Sequence, residues 1–221
     1  MGKIIVIEGL DASGKDTQSR LLQERLNKEG YETYKLDLPY YDDPSSTLVK
    51  MYLGGELGDK PSDVNAYAAS TFYAVDRYAS FKKHWQKEYE SDKIIVANRY
   101  TTSNASHQMT KLSEDEWDSY LQWLFEFEYK KMGIPEPDCV IFLDMPMDIA
   151  QKLMQARANK IDGSENKDIH ERNRKYLEDT YNVALGLARK FGWKHVMCGA
   201  EGEPLLIETI SEEVIKAAEV K

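Results

Sequence analysis

Residues 3–17, KIIVIEGLDASGKDT, constrain the fold more than any other stretch of the chain. Ile4-Ile5-Val6-Ile7 reads as a buried strand, and Gly9, Gly14 and Lys15 follow it in a GxxxxGK frame. Beyond it Leu21, Leu22 and Leu26 recur at helical spacing, so strand, loop and helix come in the order that a phosphate-binding loop needs. Glycine lets the backbone amides of such a loop turn inward around a polyphosphate, and the helix N-terminus adds a favourable dipole. Loop 9–17 therefore offers Gly9, Asp11, Ala12, Ser13, Gly14, Lys15, Asp16 and Thr17 to the phosphates of a nucleoside triphosphate, with Lys15 reaching the outer ones. The hydroxyl that usually follows the lysine is replaced by Asp16 and comes one residue later, at Thr17.

Five short apolar runs punctuate the chain, at 4–7, 31–36, 94–97, 139–143 and 195–197, separated by amphipathic stretches long enough for helices. The alternation predicts an α/β fold: a five-stranded parallel sheet flanked by helices on both faces. No repeat or linker divides the chain, so residues 1–221 are expected to form one domain. A net charge of −9 disfavours a nucleic-acid surface but leaves room for a nucleotide pocket, which needs only a few local cations. Cys139 and Cys198 lie in strand-like contexts without metal-ligand spacing, and no signal sequence or membrane span is evident. A cytoplasmic protein with free thiols is the expectation.

Two arginine-centred strings narrow the chemistry. Tyr73 and Arg77 lie four apart in the helical pattern 64–90, on one face, where an aromatic plane beside a guanidinium suits a flat base with a carbonyl edge. A core stripe with a surface arginine would give the same pattern. Arg99 follows the third apolar run directly, at the end of the sheet where open α/β folds bind ligands, and can clamp a phosphate through two parallel hydrogen bonds. Ser103, Asn104, His107 and Gln108 after it supply donors and acceptors for a base and a sugar. The most polar stretch, 158–167, is either a plain surface loop or a lid over phosphates, since Arg157 flanks it and Lys160 and Lys167 lie within it.

Taken in order, the blocks Gly9-Leu10-Asp11-Ala12-Ser13-Gly14-Lys15, Phe72-Tyr73-Ala74-Val75-Asp76-Arg77, Asn98-Arg99-Tyr100 with Ser103-Asn104, and Asp168-Ile169-His170-Glu171 resemble the thymidylate kinase family, P-loop nucleoside monophosphate kinases. The resemblance covers nearly the whole chain. It implies ATP-dependent phosphorylation of thymidine 5′-monophosphate (dTMP) with Mg2+, and commonly a homodimer. It also implies roles: Asp11 near sugar, metal and phosphates; Tyr73 stacked on thymine; Arg77 and Asn104 on the base; Arg99 on the acceptor phosphate. His107 falls where an aromatic residue crowds out a 2′-hydroxyl, and Glu171 where an acid helps hold magnesium. Ala12 replaces a loop arginine found in one subgroup, for which a basic lid of about 157–168, with Arg157, Lys160 and Lys167, would compensate.

The chain departs from that family in three places. After the second apolar run it has Leu38-Pro39-Tyr40-Tyr41 where members carry an arginine for the acceptor phosphate. One charge-assisted hydrogen bond contributes about 1.5–3 kcal/mol, of which a Tyr40 or Tyr41 hydroxyl recovers part. Asn98 replaces an aspartate, and Asp16 could either ligate magnesium directly or repel the phosphates. Two alternatives stay open on this basis: a kinase for another deoxynucleotide or a nucleoside, and a nucleotide-binding regulatory protein that has lost transfer activity. Large apolar residues in 64–90 and 114–131, Trp85, Trp117 and Trp123 among them, could form a dimer face or pack internally.

Overall fold

The computed structural model describes residues 1–155 and 168–220. Five strands, β1 (Lys3–Gly9), β2 (Thr33–Asp37), β3 (Ile94–Asn98), β4 (Cys139–Asp144) and β5 (Lys194–Met197), form one parallel sheet in the order β2-β3-β1-β4-β5. β1 lies at the centre, and Ile4 to Ile7 have no exposed surface. Side chains alternate along it: Ile5 and Ile7 join a core with Leu22, Leu26 and Val214, whereas Ile4 and Val6 join one with Leu36, Trp85 and Tyr100. Helices therefore cover both faces, which is why β1 reads as a continuous apolar run rather than an alternating one.

The helices are α1 (Lys15–Lys28), α2 (Thr47–Gly54), α3 (Ala66–Ser80), α4 (Gln86–Glu90), α5 (Thr101–Gln108), α6 (Trp117–Phe125), α7 (Met147–Gln155), α8 (Arg174–Phe191) and α9 (Ile207–Ala218). A small antiparallel hairpin, β6 (Gly199–Ala200) with β7 (Glu203–Pro204), precedes α9. Among the described residues no helix is long and apolar enough to cross a membrane.

Three boundaries differ from the sequence pattern, each for a local reason. β2 starts at Thr33 rather than 31, because Gly30 (φ +93°) ends α1 and the Tyr31 amide donates back to the Leu26 carbonyl at 3.0 Å. The pattern at 64–90 is α3 and α4 joined through a π-helical stretch, Phe81–Trp85, and α6 likewise widens into Glu126–Lys131. The pattern at 168–191 becomes helical only at Arg174, where Asn173 caps the Tyr176 amide at 3.0 Å. Ahead of it the Asp168 carboxylate binds the amides of His170 and Glu171, at 2.9 and 2.8 Å, and holds a turn instead.

Candidate active site

Beyond the carboxyl ends of β1 and β3 lies a cavity of about 800 Å³. Asp11, Ala12, Ser13, Gly14, Lys15, Asp16, Thr17, Tyr73, Arg77, Arg99, Ser103, Asn104, His107 and Glu171 all line it, so residues separated by up to 160 positions share one void. Gly9 lies beneath the loop and Tyr40 lies outside the cavity; Arg157, Lys160 and Lys167 fall outside the described residues.

The loop leaves β1 at Gly9, whose φ of +150° and close neighbours exclude a side chain: an added Cβ would meet Ser13 Oγ at 2.6 Å and the Leu143 carbonyl at 2.8 Å. Ala12 (φ +63°) and Gly14 (φ +88°) both adopt the left-handed region, the conformation that gathers loop amides into an anion-binding concavity. Lys15 is buried, and its Nζ donates across the loop to the Leu10 carbonyl at 2.5 Å. Ser13 Oγ is buried and has no hydrogen-bond partner among the described residues, an atom that a phosphate oxygen would satisfy. Asp16 takes a different course from the sequence expectation. Its side chain is 77% exposed and is held by Lys35 Nζ at 3.0 Å, and the same ammonium binds Asp37. Among the described residues Asp11, Asp16 and Glu171 do not form a three-ligand metal cluster.

Arg99 sits at the other side of the loop with φ +69°, an uncommon backbone for a non-glycine residue, anchored by its amide on the Ile7 carbonyl at 3.2 Å. Its Nη2 donates to Asp11 Oδ1 at 2.8 Å and its Nη1 lies 3.3 Å from Ser103 Oγ. Burial alone would lower the Arg99 pKa, but the charges of Asp11 and Glu8 outweigh it and hold the guanidinium above its usual value. Glu8 is itself buried and accepts from the Tyr100 amide and the hydroxyls of Thr102 and Ser103, which ties the start of α5 to β1.

One wall of the cavity carries two stacked imidazoles. The His107 and His170 rings lie 5.4 Å apart and 16° from parallel, with Tyr176 packed against both. Arg99 Nη1 approaches His107 Nε2 at 3.4 Å, so that nitrogen accepts, and Nδ1 carries the proton toward Tyr176 Oη at 3.3 Å. Burial, and after it the Arg99 charge, push the His107 pKa well down and keep the ring neutral. His170 is lowered to about 3 by burial and then by Lys111, and its Nε2 lies 2.9 Å from the Tyr52 hydroxyl. Of the two tyrosines after β2, Tyr41 lines the cavity. Its hydroxyl pKa is raised by burial despite the neighbouring Arg99 charge. Tyr40 is drawn away: its amide donates to Asp76 at 2.9 Å and its ring stacks on His84 at 4.6 Å.

Arg77 is a buried residue, not a surface one. It forms a fork with Glu128, Nε to Oε2 at 2.6 Å and Nη2 to Oε1 at 3.2 Å, and lies 5.4 Å over the Tyr100 ring. Asn104 spends its Nδ2 on the Ser70 carbonyl at 3.2 Å and on Glu128 Oε1 at 3.1 Å. Sequence reasoning did not separate Tyr41 from Tyr40, named Asp168 and His170 without giving them a role, and left out Glu128. Asp168 lines the cavity with a pKa raised to about 6, by burial and then by the Asp11 charge. Two carboxylates in mutual repulsion suit a divalent cation, and magnesium in phosphoryl-transfer sites needs only one or two of them, with water and phosphate supplying the rest.

The family model for thymidylate kinase matches residues 7–208. A Mycobacterium tuberculosis thymidylate kinase is 28% identical over 203 residues, 91% of this chain and 93% of its own length. A probable thymidylate kinase from Thermococcus kodakarensis is 29% identical over 218 residues, 97% and 96% of the two chains. The solved structure of Candida albicans thymidylate kinase superposes with a TM-score of 0.70 over 99% of this chain and 91% of that one; at 18% identity it establishes the P-loop fold. With a phosphate-binding loop, a strand-end arginine and the buried side chains of Arg77 and Asn104 around one cavity, the chain belongs to the thymidylate kinase family, ATP-dependent phosphotransferases that phosphorylate dTMP.

Proposed function

We propose that this protein transfers the γ-phosphoryl group of ATP to the 5′-phosphate of dTMP with Lys15, Arg99, Arg77 and Asn104 in the leading roles. The observation that carries the assignment of roles is the hydrogen-bond polarity of the base wall. Both hydrogens of Asn104 Nδ2 go to acceptors, Ser70 and Glu128, which leaves Oδ1 to accept from a ligand. Arg77 spends Nε and Nη2 on Glu128, which leaves Nη1 to donate. An acceptor beside a donor complements the N3–H and C4 carbonyl of thymine, and opposes the N3 and exocyclic amine of cytosine. Tyr73 supplies the stacking face.

The acceptor phosphate is already a competent nucleophile, so the site's task is alignment and charge neutralisation. Lys15, Ser13, Thr17 and the loop amides hold the donor phosphates. Arg99 and the Tyr41 hydroxyl hold the acceptor phosphate in line. Asp11 orients Arg99 through their ion pair, and Arg157, Lys160 and Lys167 act as a lid that excludes water. One or two of Asp11, Asp168 and Glu171 would hold Mg2+, with water and phosphate as its other ligands, and when bound it neutralises charge on the phosphate oxygens.

A cytoplasmic homodimer without nucleic-acid or membrane partners completes the proposal. The exposed stripe Tyr67, Val75 and Tyr78 along α3 supports a dimer face, and the net charge of −9 supports the rest. Coupled ADP release across a panel of nucleoside monophosphates and free thymidine tests the reaction. Turnover should peak on dTMP and fall at least about a hundredfold in Lys15→Ala. Equal turnover in Lys15→Ala, or a peak on thymidine or deoxycytidine monophosphate (dCMP), would overturn the assignment.

A further inference from the structure

We propose that Glu128 is the positioning residue that sets base preference at the acceptor site, by dictating which atoms of Asn104 and Arg77 face the cavity. The inference rests on the assignment of those two residues to the base. Glu128 does not line the cavity and has no exposed surface. From the π-helical stretch after α6 it reaches two other elements at once, Arg77 on α3 and Thr101 and Asn104 on α5.

A carboxylate only accepts, so each of its neighbours must donate. Thr101 Oγ1 donates to Oε2 at 2.7 Å, Arg77 donates to both oxygens, and Asn104 is obliged to turn Nδ2 toward Oε1 at 3.1 Å. The Ser70 carbonyl takes the second Nδ2 hydrogen, so inverting the amide would cost that bond as well. Behind them Tyr120 Oη bridges Ser70 Oγ at 2.7 Å and the Asn104 carbonyl at 3.4 Å, which braces α3 against α5. A buried ion pair is an inefficient way to stabilise a core, since apolar residues of equal volume serve as well. What a buried carboxylate supplies here, and an apolar residue cannot, is hydrogen-bond direction.

Replacing Glu128 by glutamine keeps the shape and turns one of the two acceptors into a donor. Arg77 donates to both positions, so either amide orientation costs it a bond. With the glutamine nitrogen at the Oε1 position, the unturned Asn104 amide faces a donor, whereas the inverted one gains that donor at the cost of its Ser70 bond and presents its own donor to the cavity. A donor there donates to cytosine N3 and opposes thymine N3–H.

The test is steady-state turnover of the full chain and its Glu128→Gln variant on dTMP and dCMP, with KM for ATP measured alongside. Loss of an oriented, charge-assisted bond predicts a rise of about tenfold or more in KM for dTMP, a comparable fall in the dTMP:dCMP preference, and a KM for ATP within about twofold of wild type. A merely structural role would move both substrates together. Because Glu128→Gln leaves Arg77 without its counter-charge, Glu128→Asp is the companion variant. It keeps the charge but withdraws the carboxylate from Asn104, and the same fall in preference is expected. An unchanged dTMP:dCMP ratio in the folded variants overturns the role of Glu128. A wild-type enzyme indifferent to the two bases would instead overturn the base assignment of Arg77 and Asn104.

Discussion

Arg99→Lys separates the geometry of the phosphate clamp from its charge. Arg99 is 15% exposed at the side chain, pairs with Asp11 at 2.8 Å and feels the charge of Glu8. Removing the charge outright would take a neighbouring positive charge away from two buried carboxylates, a loss of about 3–5 kcal/mol that would confuse catalysis with unfolding. Lysine keeps the positive charge and tolerates the same backbone, but it presents a point charge in place of a planar fork. The fork can hold Asp11 and a phosphate oxygen at once; an ammonium must share one nitrogen between them. The variant therefore forfeits about one charge-assisted hydrogen bond to the acceptor, roughly 1.5–3 kcal/mol, or about a tenfold to a hundredfold fall in kcat/KM for dTMP. ADP release at saturating ATP with dTMP varied reads this directly, and the converse titration should give a KM for ATP within about twofold of wild type. A thermal transition close to that of wild type certifies the fold. Turnover on dTMP within twofold of wild type would refute the clamp, and a loss borne equally by ATP would move Arg99 to the donor side.

The two tyrosines after β2 should separate cleanly: Tyr41→Phe is expected to raise KM for dTMP by about threefold to tenfold, while Tyr40→Phe, outside the cavity, leaves both substrates within about twofold. Asp168 has a folded pKa of about 6 against 3.8 in the unfolded chain, so its ionised form opposes folding above pH 6 and the penalty fades as pH falls from 6 toward 4. Asp168→Asn should accordingly raise the metal-free Tm at pH 7.5 by several degrees, through about 2–3 kcal/mol, and lose that advantage by pH 4; a gap independent of pH would refute the shift.

The parts of this protein that could be read from the sequence are those whose physics is local. Gly9, Gly14 and Lys15 act within one turn of chain, and β1, β3 and β4 carry runs of consecutive apolar residues, so both were legible before any tertiary contact was known. Arg99 was legible at one remove, because a residue that ends a parallel strand faces the ligand edge of the sheet whatever surrounds it. Tyr40 and Tyr41 were not separable, since the choice between them is one residue of phase in a turn. That phase is set by Asp76 and His84, which lie more than thirty positions away. Asp168 was visible as part of a motif, but its raised pKa needs Asp11, 157 positions earlier, at the same cavity.

Glu128 falls between these cases. It follows Leu121 by seven residues and Leu124 by four, on the face where both leucines are buried, and an acid on an apolar stripe is the local sign of a buried partner. Helical spacing can say that such an acid must be paired, but only the docking of α3 and α5 supplies Arg77, Thr101 and Asn104 as donors. Once those three converge, the acceptor character of one hidden carboxylate propagates outward as a donor–acceptor pattern on the cavity wall. Base selectivity in this fold therefore depends on a residue that need never touch the base.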